Sequence, residues 1–498
     1  MTNLFFLDFL FLLPQIFAAV SVLTGLTLFS AYGSFTRSVG LSLQVQCIVF
    51  LLLSSVLLLL LLAPVAFFSS LGLFSSLLFS PFLNFYALLA LLATTLTLFL
   101  YGSYTKASDL VQFETPFFII FTTLASIVIF FSNDFLIAYL GLELQALVLY
   151  ILAASRVNST YSTEAGLKYF VLGSFASCLL LLGISFLYGV VGTLNFTDLS
   201  LFFASSSELS STYANACLLS LLLIVLGLLF KVGAAPFHFW VADVYTGSPI
   251  VITAFFAVVP KLAGWVLLLK LSTFVLSSFV DFFSILFVLT GLLSLLIGSF
   301  GAVSQSSLKR ILAFSAVAHA GYLLLGIAAF QTVSLVSNAL YLFVYTLSLL
   351  PIFAILIVYF PRNISSNAID TVYGLRYLYK QNRVAALILV LSLFSAAGVP
   401  PLSGFFAKLY VFFAVVSANY TTVAALALLL SSASAVYYLK VVRFAFFFRN
   451  FRASLLLQEI TRPAAYAIAL LFVLNISFFA WGSDFLVALC QIQSNFLL

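Results

Sequence analysis

The chain has 498 residues, of which 64% are hydrophobic and only 6% are charged, and its mean hydropathy is +1.28. A soluble domain carries about 25% charged residues, so this composition excludes a soluble globular protein and predicts an all-α polytopic membrane protein. The formal net charge of +6 comes from 19 basic residues scattered over short loops. That distribution is typical of a membrane-topology signal, so we expect lipid partners and no nucleic acid.

Runs of roughly 20 apolar residues are long enough to cross about 30 Å of hydrocarbon. Fourteen such runs are predicted, near 5–29, 46–68, 81–101, 114–132, 135–154, 166–190, 214–240, 250–272, 282–301, 308–330, 333–359, 384–417, 422–441 and 463–485. The run 384–417 is too long for one straight helix and contains Pro400, Pro401 and Gly404. We therefore interpret it as a single interrupted span.

Two interrupted spans, around Lys231–Pro236 and around Pro400–Lys408, fall five spans apart. Discontinuous helices in corresponding positions point to inverted repeats, as in transporters. We predict one transmembrane domain over 1–498, with helices 1–3 near 5–101 and the last helix near 463–485. The two repeats are expected near 114–272 and 282–441.

The loop charges predict an orientation. Alternate loops, starting after the first span, hold the basic residues Arg37, Lys106, Arg156, Lys309, Arg310, Arg362, Arg376, Lys380, Arg383, Arg443, Arg449, Arg452 and Arg462. The intervening loops hold acids such as Asp134, Asp198, Glu208 and Asp281. By the positive-inside rule, this asymmetry places both termini on the outer side of the membrane.

Four charged residues fall deep inside predicted spans: Glu143, Lys231, Lys261 and Lys408. Charges at bilayer depth are costly and are functional by default, although a hydrogen-bonded structural glutamate and inert buried ion pairs remain alternatives. Three deep lysines against one deep glutamate leave too few acids to neutralise them all. Low-dielectric surroundings disfavour an ammonium and a nearby carboxylate favours it, so such a row is suited to loading and unloading protons.

The remaining polar residues of the spans are weighed by position. Lys270 and Lys440 sit at span ends and are interpreted as snorkelling anchors. The position of Lys168 favours the same interpretation. His238 and His319 are the two histidines; each suits a packed polar role or a proton relay. The adjacent tyrosines Tyr437 and Tyr438 are interpreted as interfacial aromatics rather than relay groups.

Other chemistries find little support. The sequence has no GxGxxG or GxxxxGK[ST] motif for nucleotide phosphates. Its four cysteines are widely separated and its two histidines are distant, so neither an iron–sulfur nor a metal site is predicted. The N-terminus shows no basic region before its first apolar run, so no removable signal is expected. That fits a chain made inside the compartment that houses it.

Long motifs carry a family resemblance. In order, they are EAGLKYFVLGSFAS, LLFKVGAAPFHFWVADVYTGSP, FFAVVPKLAG, SSLKRILAFSAVAHAGYLLLG and AAGVPPLSGFFAKLYVF. In sequence and spacing they resemble the antiporter-like membrane-arm subunits of respiratory NADH:quinone oxidoreductase, complex I. With lysine at position 408, directly after GFFA, the chain resembles the subunit 2 branch rather than subunit 4, which usually has glutamate there. It differs from subunit 5, which is usually longer.

The resemblance implies a proton channel of fourteen helices with two inverted five-helix repeats, in which the seventh and twelfth helices are broken. It assigns proton translocation to Glu143 on the fifth helix, Lys231 on the seventh, Lys261 on the eighth and Lys408 on the twelfth. Lys168 matches the family's sixth-helix lysine, which reverses the positional interpretation above. His238 and His319 match family histidines and are candidate relay groups.

The resemblance also implies partners and location. It predicts no cofactor and no metal in this chain, with FMN, iron–sulfur clusters and quinone in other subunits, and other membrane-arm subunits as partners, including sister antiporter-like ones. The missing import signal and the high Phe and Leu content favour a mitochondrial inner-membrane protein with both termini in the intermembrane space, although plastid and bacterial homologues would look similar. A stand-alone cation/proton antiporter and a non-conducting membrane-arm scaffold remain alternative functions.

Overall fold

The computed structural model describes residues 81–108, 114–156, 159–205, 211–359, 371–447 and 462–497. Over these residues the chain is helical apart from short connections. The helices are α1 (Pro81–Ser108), α2 (Thr115–Phe131), α3 (Phe135–Ala153), α4 (Thr160–Val191), α5 (Phe196–Ser205), α6 (Ser211–Val232), α7 (Phe239–Gly247), α8 (Ile250–Phe274), α9 (Val280–Ser304), α10 (Leu308–Ala328), α11 (Thr332–Tyr359), α12 (Leu378–Gln381), α13 (Arg383–Ala397), α14 (Ser403–Ser417), α15 (Thr421–Phe446) and α16 (Arg462–Leu497).

The helices confirm the predicted fold class. Within the described ranges, nine helices are long and apolar enough to cross a membrane, and four shorter helical segments are also apolar. Every predicted span from 81–101 onward corresponds to one helix or to a broken pair. The predicted spans 5–29 and 46–68, together with Arg37, lie outside the described residues.

The predicted break near Pro236 separates α6 from α7. α6 ends at Val232, just before Gly233, whose φ of +78° lies in the left-handed region that favours glycine. The N–H of Ala234 donates to the carbonyl of Leu229 over 3.0 Å, so the end of the helix satisfies its own carbonyls in a Schellman motif. Pro236, preceded by a cis peptide bond, follows three residues after the glycine.

The second predicted break separates α13 from α14 and is built in the same way. Gly398 has a φ of +87°, and the N–H of Val399 donates to the carbonyl of Phe394 over 3.0 Å. Pro401, again preceded by a cis peptide bond, follows three residues after the glycine. The pattern of a glycine with a proline three positions later therefore ends a helix in the middle of both interrupted spans.

Three helices form the centre of the bundle. α8, α10 and α11 are buried almost completely within the chain and pack against one another. α4, α9 and α15 lie at the flanks, where large apolar side chains such as Leu167, Phe300 and Leu429 are exposed. Apolar flanks suit contact with lipid or with other membrane subunits.

The connections gather at two ends of the bundle. At one end, Lys309 donates to the carbonyl of Ser248 and Lys440 donates to that of Gln305. We call this the basic end, since the described residues of its loops and helix ends include Arg156, Lys309, Arg310 and Arg443. At the opposite, acidic end lie Asp134, Asp198 and Asp281, where Asp134 pairs with Asn195 in an isolated bridge. The described helices thus alternate in direction as the loop charges predict.

Candidate functional site

An ion pair joins α3 to the broken span. Oε1 of Glu143 lies 3.6 Å from Nζ of Lys231, and their side chains are 27% and 13% exposed. Lys231 is in the last turn of α6, immediately before the break, where a cation is favoured by the helix dipole. Nζ of Lys231 also lies 3.5 Å from the carbonyl of Leu142. The structure therefore brings together two residues that are 88 positions apart in the sequence, both of which the resemblance assigned to proton translocation.

A small cavity lies beside this pair. Its volume is about 30 Å³, and its lining includes Lys231, Gln145 and Tyr150 together with Pro260 and Gly264 of α8. A cavity needs roughly 10–15 Å³ of such volume to hold one water molecule. The space between Lys231 and α8 is thus large enough for water beside the ammonium.

Lys261 occupies the centre of the bundle. It lies on α8, one residue after Pro260, and is 4% exposed. Its Nζ has no hydrogen-bond partner among the described residues and lies 5.7 Å from the centroid of the Tyr245 ring. The ring face can stabilise an ammonium, but by only about 0.5–2 kcal/mol. Lys261 is therefore a buried base without a counter-ion in the described structure.

Lys408 closes the second break. It lies on α14, is 7% exposed, and donates from Nζ to the carbonyl of Ala397 over 2.6 Å. Ala397 is the last residue of α13, so the ammonium sits at the negative end of that half-helix. The Tyr322 ring lies 5.0 Å from Nζ. No carboxylate of the described residues lies within 4.0 Å of this lysine.

His319 links the two halves of the polar row. It is buried, with Nδ1 2.7 Å from the hydroxyl of Tyr341 and Nε2 3.0 Å from that of Tyr438. Tyr341 in turn packs on Tyr322, whose ring faces Nζ of Lys408. Both ring nitrogens are therefore hydrogen-bonded, as a proton relay needs.

Two sequence-based interpretations of side chains are wrong. Tyr437 and Tyr438 are each 1% exposed rather than interfacial, since α15 turns them toward the centre of the bundle. Lys270 does not snorkel: it is 2% exposed and donates to the carbonyls of Ser132 and Ile129 over 2.6 and 3.3 Å. The end of α2 offers free carbonyls and the negative end of the helix dipole to this ammonium, which explains its burial.

Lys168 and His238 lie apart from the buried lysines. Nζ of Lys168 is 2.7 Å from Glu164 and 2.8 Å from Asp243, and its side chain is 43% exposed. Arg310 lies 3.6 Å from the same aspartate, so these residues form an ion cluster near the basic end. His238 lies in the first break, where its ring packs on Phe239 at 4.7 Å.

At the acidic end, the surroundings of Asp134 perturb the pKa of its carboxyl. Burial and the neighbouring carboxylate of Asp198 raise the pKa of Asp134. In the described ranges, no group of three His, Cys, Asp or Glu side chains could hold a metal ion.

Sequence reasoning missed the tyrosines around the buried lysines and the amide of Asn475. On α11, Asn338, Tyr341 and Tyr345 follow the spacing i, i+3, i+7, so they share one face of a largely apolar helix. A polar stripe of this spacing is a signal that could have found the tyrosines. Asn475 is alone on its helix face and offers no such signal.

Comparison with known proteins identifies the family. A family described as NADH:quinone oxidoreductase/Mrp antiporter, transmembrane, matches residues 132–434. NADH-quinone oxidoreductase subunit N of Rhodospirillum rubrum is 38% identical over 359 residues, 72% of each chain. NADH-ubiquinone oxidoreductase chain 2 of Marchantia polymorpha is 34% identical over 445 residues, 88% of this chain and 89% of that one.

A solved structure agrees with these relatives. A chain of respiratory complex I from Thermus thermophilus with bound aureothin superposes with a TM-score of 0.78 and 26% identity, over 96% of this chain and 99% of that one. The matched family segment contains Glu143, the buried lysines and His319, but it ends before Asn475. The chain belongs to the family of antiporter-like membrane proteins shared by NADH:quinone oxidoreductase and the Mrp antiporters.

Proposed function

We propose that this chain is the antiporter-like subunit 2 of a proton-pumping NADH:ubiquinone oxidoreductase, and that its buried row of Glu143, Lys231, Lys261 and Lys408 carries the protons. The observation that carries this proposal is the burial of Lys261 and Lys408 without a carboxylate partner in the described residues. Inert buried lysines are normally paired, because an unpaired buried charge is costly. Lys270 shares this state, but of the three buried lysines only Lys261 has no hydrogen-bond partner among the described residues, and such a base favours a role in which protons come and go.

The Glu143–Lys231 pair controls when Lys231 binds and releases its proton. At an effective dielectric constant of about 20, two unit charges near 4 Å apart interact by about 4 kcal/mol. Moving or neutralising the carboxylate therefore changes the ratio of protonated to neutral Lys231 by orders of magnitude. On α8 the water-sized cavity touches Pro260 and Gly264, on either side of Lys261 in the sequence, so water there would carry the released proton from Lys231 toward α8.

His319 and its tyrosines continue the route toward Lys408. Neutral imidazole can accept a proton at one nitrogen and release one at the other, while its hydroxyl partners reorient. Lys168 and His238 serve as secondary relay groups near the entrance, since the ion cluster of Lys168 lies toward the basic end. We place the two repeats over 114–272 and 282–441 and regard them as two halves of one conducting unit.

The redox chemistry belongs to the rest of the assembly. FMN, iron–sulfur clusters and quinone are assigned to other subunits, and this chain takes part in the enzyme as its proton-translocating part. We place it in the mitochondrial inner membrane with both termini in the intermembrane space. The loop charges support that orientation, and the likeness to chain 2 of Marchantia polymorpha supports a place in a ubiquinone-reducing enzyme.

A second candidate function is a cation/proton antiporter outside complex I. The matching family is described by both NADH:quinone oxidoreductase and the Mrp antiporter, and the same buried row would serve either. A scaffold role, in which the row conducts nothing, is the third outcome.

A native gel separates membership in complex I from independent existence. Membranes are solubilised mildly, and the gel is probed for this chain and stained for NADH dehydrogenase activity. We expect the chain to migrate with that activity in an assembly far larger than 54.4 kDa. Migration alone or with a few small partners, without NADH activity, would overturn the proposal and favour the antiporter, for which sodium- and proton-driven flux would then be measured.

A further inference from the structure

A buried amide bridges the second break. Asn475 lies on α16 and is 3% exposed. Its Oδ1 accepts a hydrogen bond of 2.7 Å from the hydroxyl of Ser403, the first residue of α14. Its Nδ2 donates over 3.0 Å to the hydroxyl of Ser395, in the last turn of α13. One side chain from the last helix thus holds both half-helices.

Both the oxygen and the nitrogen of the Asn475 amide have hydrogen-bond partners. Nδ2 also lies 3.5 Å from the carbonyl of Leu347 on α11, so both its donors and its acceptor face partners. Ser395 in turn donates to the carbonyl of Ser392 over 2.8 Å. A carboxylate cannot donate to Ser395, and an apolar side chain can neither donate nor accept. The position therefore requires an amide.

The two half-helices touch directly below this amide. A Cβ added at Gly404 would overlap the carbonyl oxygen of Ser395. Lys408 follows Gly404 by four residues and so lies on the same helix face. That face turns toward the end of α13, where Nζ of Lys408 reaches the carbonyl of Ala397. The placement of Lys408 hence depends on how α14 is held against α13.

At the first break, the two half-helices bond each other directly. There the indole N–H of Trp240, on α7, donates over 3.0 Å to the carbonyl of Phe230, on α6. Both residues belong to the broken span itself. Side chains of α3 and α4 also reach the first break, through Glu143 to Lys231 and through Lys168 to Asp243, but each of them pairs with one half-helix. Among the described contacts, one outside side chain hydrogen-bonds both half-helices at the second break alone.

We propose that Asn475 is a positioning residue for Lys408: by bridging Ser395 and Ser403, it fixes α14 on α13 so that the ammonium reaches the end of α13. The consequence for proton transfer rests on the proposed function, but the positional effect does not. Removing the bridge loosens α14 and frees Lys408 from the carbonyl of Ala397. Through Asn475, α16 thereby controls the position of Lys408, a group of the proposed proton path, although the amide itself does not contact that lysine.

Cysteine reactivity tests the position of residue 408 directly. In a chain whose native cysteines are replaced, Lys408→Cys or Lys261→Cys supplies one reporter thiol, and each is combined with Asn475→Leu. With the loss of the two bridging hydrogen bonds, we expect the modification rate at position 408 by a small membrane-permeant thiol reagent to change about tenfold. The rate at position 261 should stay unchanged, because that reporter lies on α8, away from the bridge.

Asn338→Leu is the matched control. Asn338 is equally buried, on α11, and its amide donates to Ser334 of its own helix rather than across the break. It should leave the rate at position 408 at its original value. An unchanged rate at position 408 in Asn475→Leu, or an equal change at both reporters, would overturn the positioning role.

Proton pumping in Asn475→Leu with Lys408 intact separates this proposal from the proposed function. Altered reactivity together with a reduced number of protons moved per NADH supports both. Altered reactivity with undiminished pumping supports the positioning role of Asn475 and counts against Lys408 as part of the proton path.

Discussion

The contact between α13 and α14 makes Gly404→Ala the most informative single substitution. A Cβ at this position would overlap the carbonyl oxygen of Ser395 and lie 2.7 Å from its carbonyl carbon, whereas ordinary contact begins at 3.4 Å. The half-helices must therefore separate by more than about 0.7 Å, because backbone in a packed interior has no room to give. The 2.6 Å hydrogen bond from Lys408 to Ala397 would then exceed the normal range for an N–H donor.

The expected cost follows from two effects. Overpacking a well-packed core costs about 1–3 kcal/mol, and losing a hydrogen bond of a charged donor costs about 1.5–3 kcal/mol. We expect Gly404→Ala to destabilise the chain by about 3 kcal/mol or more, which lowers the amount of assembled complex on native gels and the proton pumping of what remains.

Gly189→Ala is the control for this substitution. A Cβ added at Gly189, on the exposed face of α4, would meet nothing within 4 Å. Alanine there should be neutral or slightly stabilising, since glycine costs about 1 kcal/mol in a helix interior. Wild-type assembly and pumping in Gly404→Ala would refute the reasoning about the break.

Three further substitutions test other parts of the site. Lys261→Met should leave assembly intact, since it replaces a buried ammonium that lacks a counter-ion, while the number of protons pumped per NADH falls; both are measured in reconstituted complex. His319→Phe should destabilise the chain by about 2–4 kcal/mol, because it strands the hydroxyls of Tyr341 and Tyr438; the loss is measured as a lower midpoint of thermal inactivation. Asp134→Asn should raise that midpoint at neutral pH. Because folding raises the pKa of Asp134 above its ordinary value of 3.8, the ionised carboxylate destabilises the folded chain at neutral pH. The stability gained in Asp134→Asn should therefore vanish as the pH falls toward 3.8.

The sequence was sufficient for the architecture because membrane spans obey strong local rules. Hydrocarbon thickness fixes the length of each apolar run, so the predicted run 250–272 corresponds to α8 at Ile250–Phe274. Pro236 and Pro401 marked both breaks, where each follows three residues after a glycine with positive φ, whereas Pro260 and Pro351 lie inside continuous helices. The deep charges were equally visible, since almost nothing else in the spans is charged.

Side-chain partners could not be predicted in the same way. Lys270 was assigned to an interface from its position near a span end, but the direction of its side chain depends on where α2 ends in space. Tyr438 was misplaced for the same reason, since its partner His319 is 119 residues away. The bridge of Asn475 joins three helices, and no local pattern marks a residue whose partners lie 72 and 80 positions away.

The most direct test of proton conduction is the number of protons taken up per NADH oxidised by the assembled complex in sealed liposomes, compared between the wild type and Lys231→Ala. Lys380→Ala, at an exposed lysine of α12, controls for the loss of a positive charge. If the buried row conducts, Lys231→Ala lowers the number of protons per NADH while Lys380→Ala matches the wild type. An undiminished number in fully assembled Lys231→Ala complex would contradict conduction through the row and leave the chain a scaffold of the membrane arm.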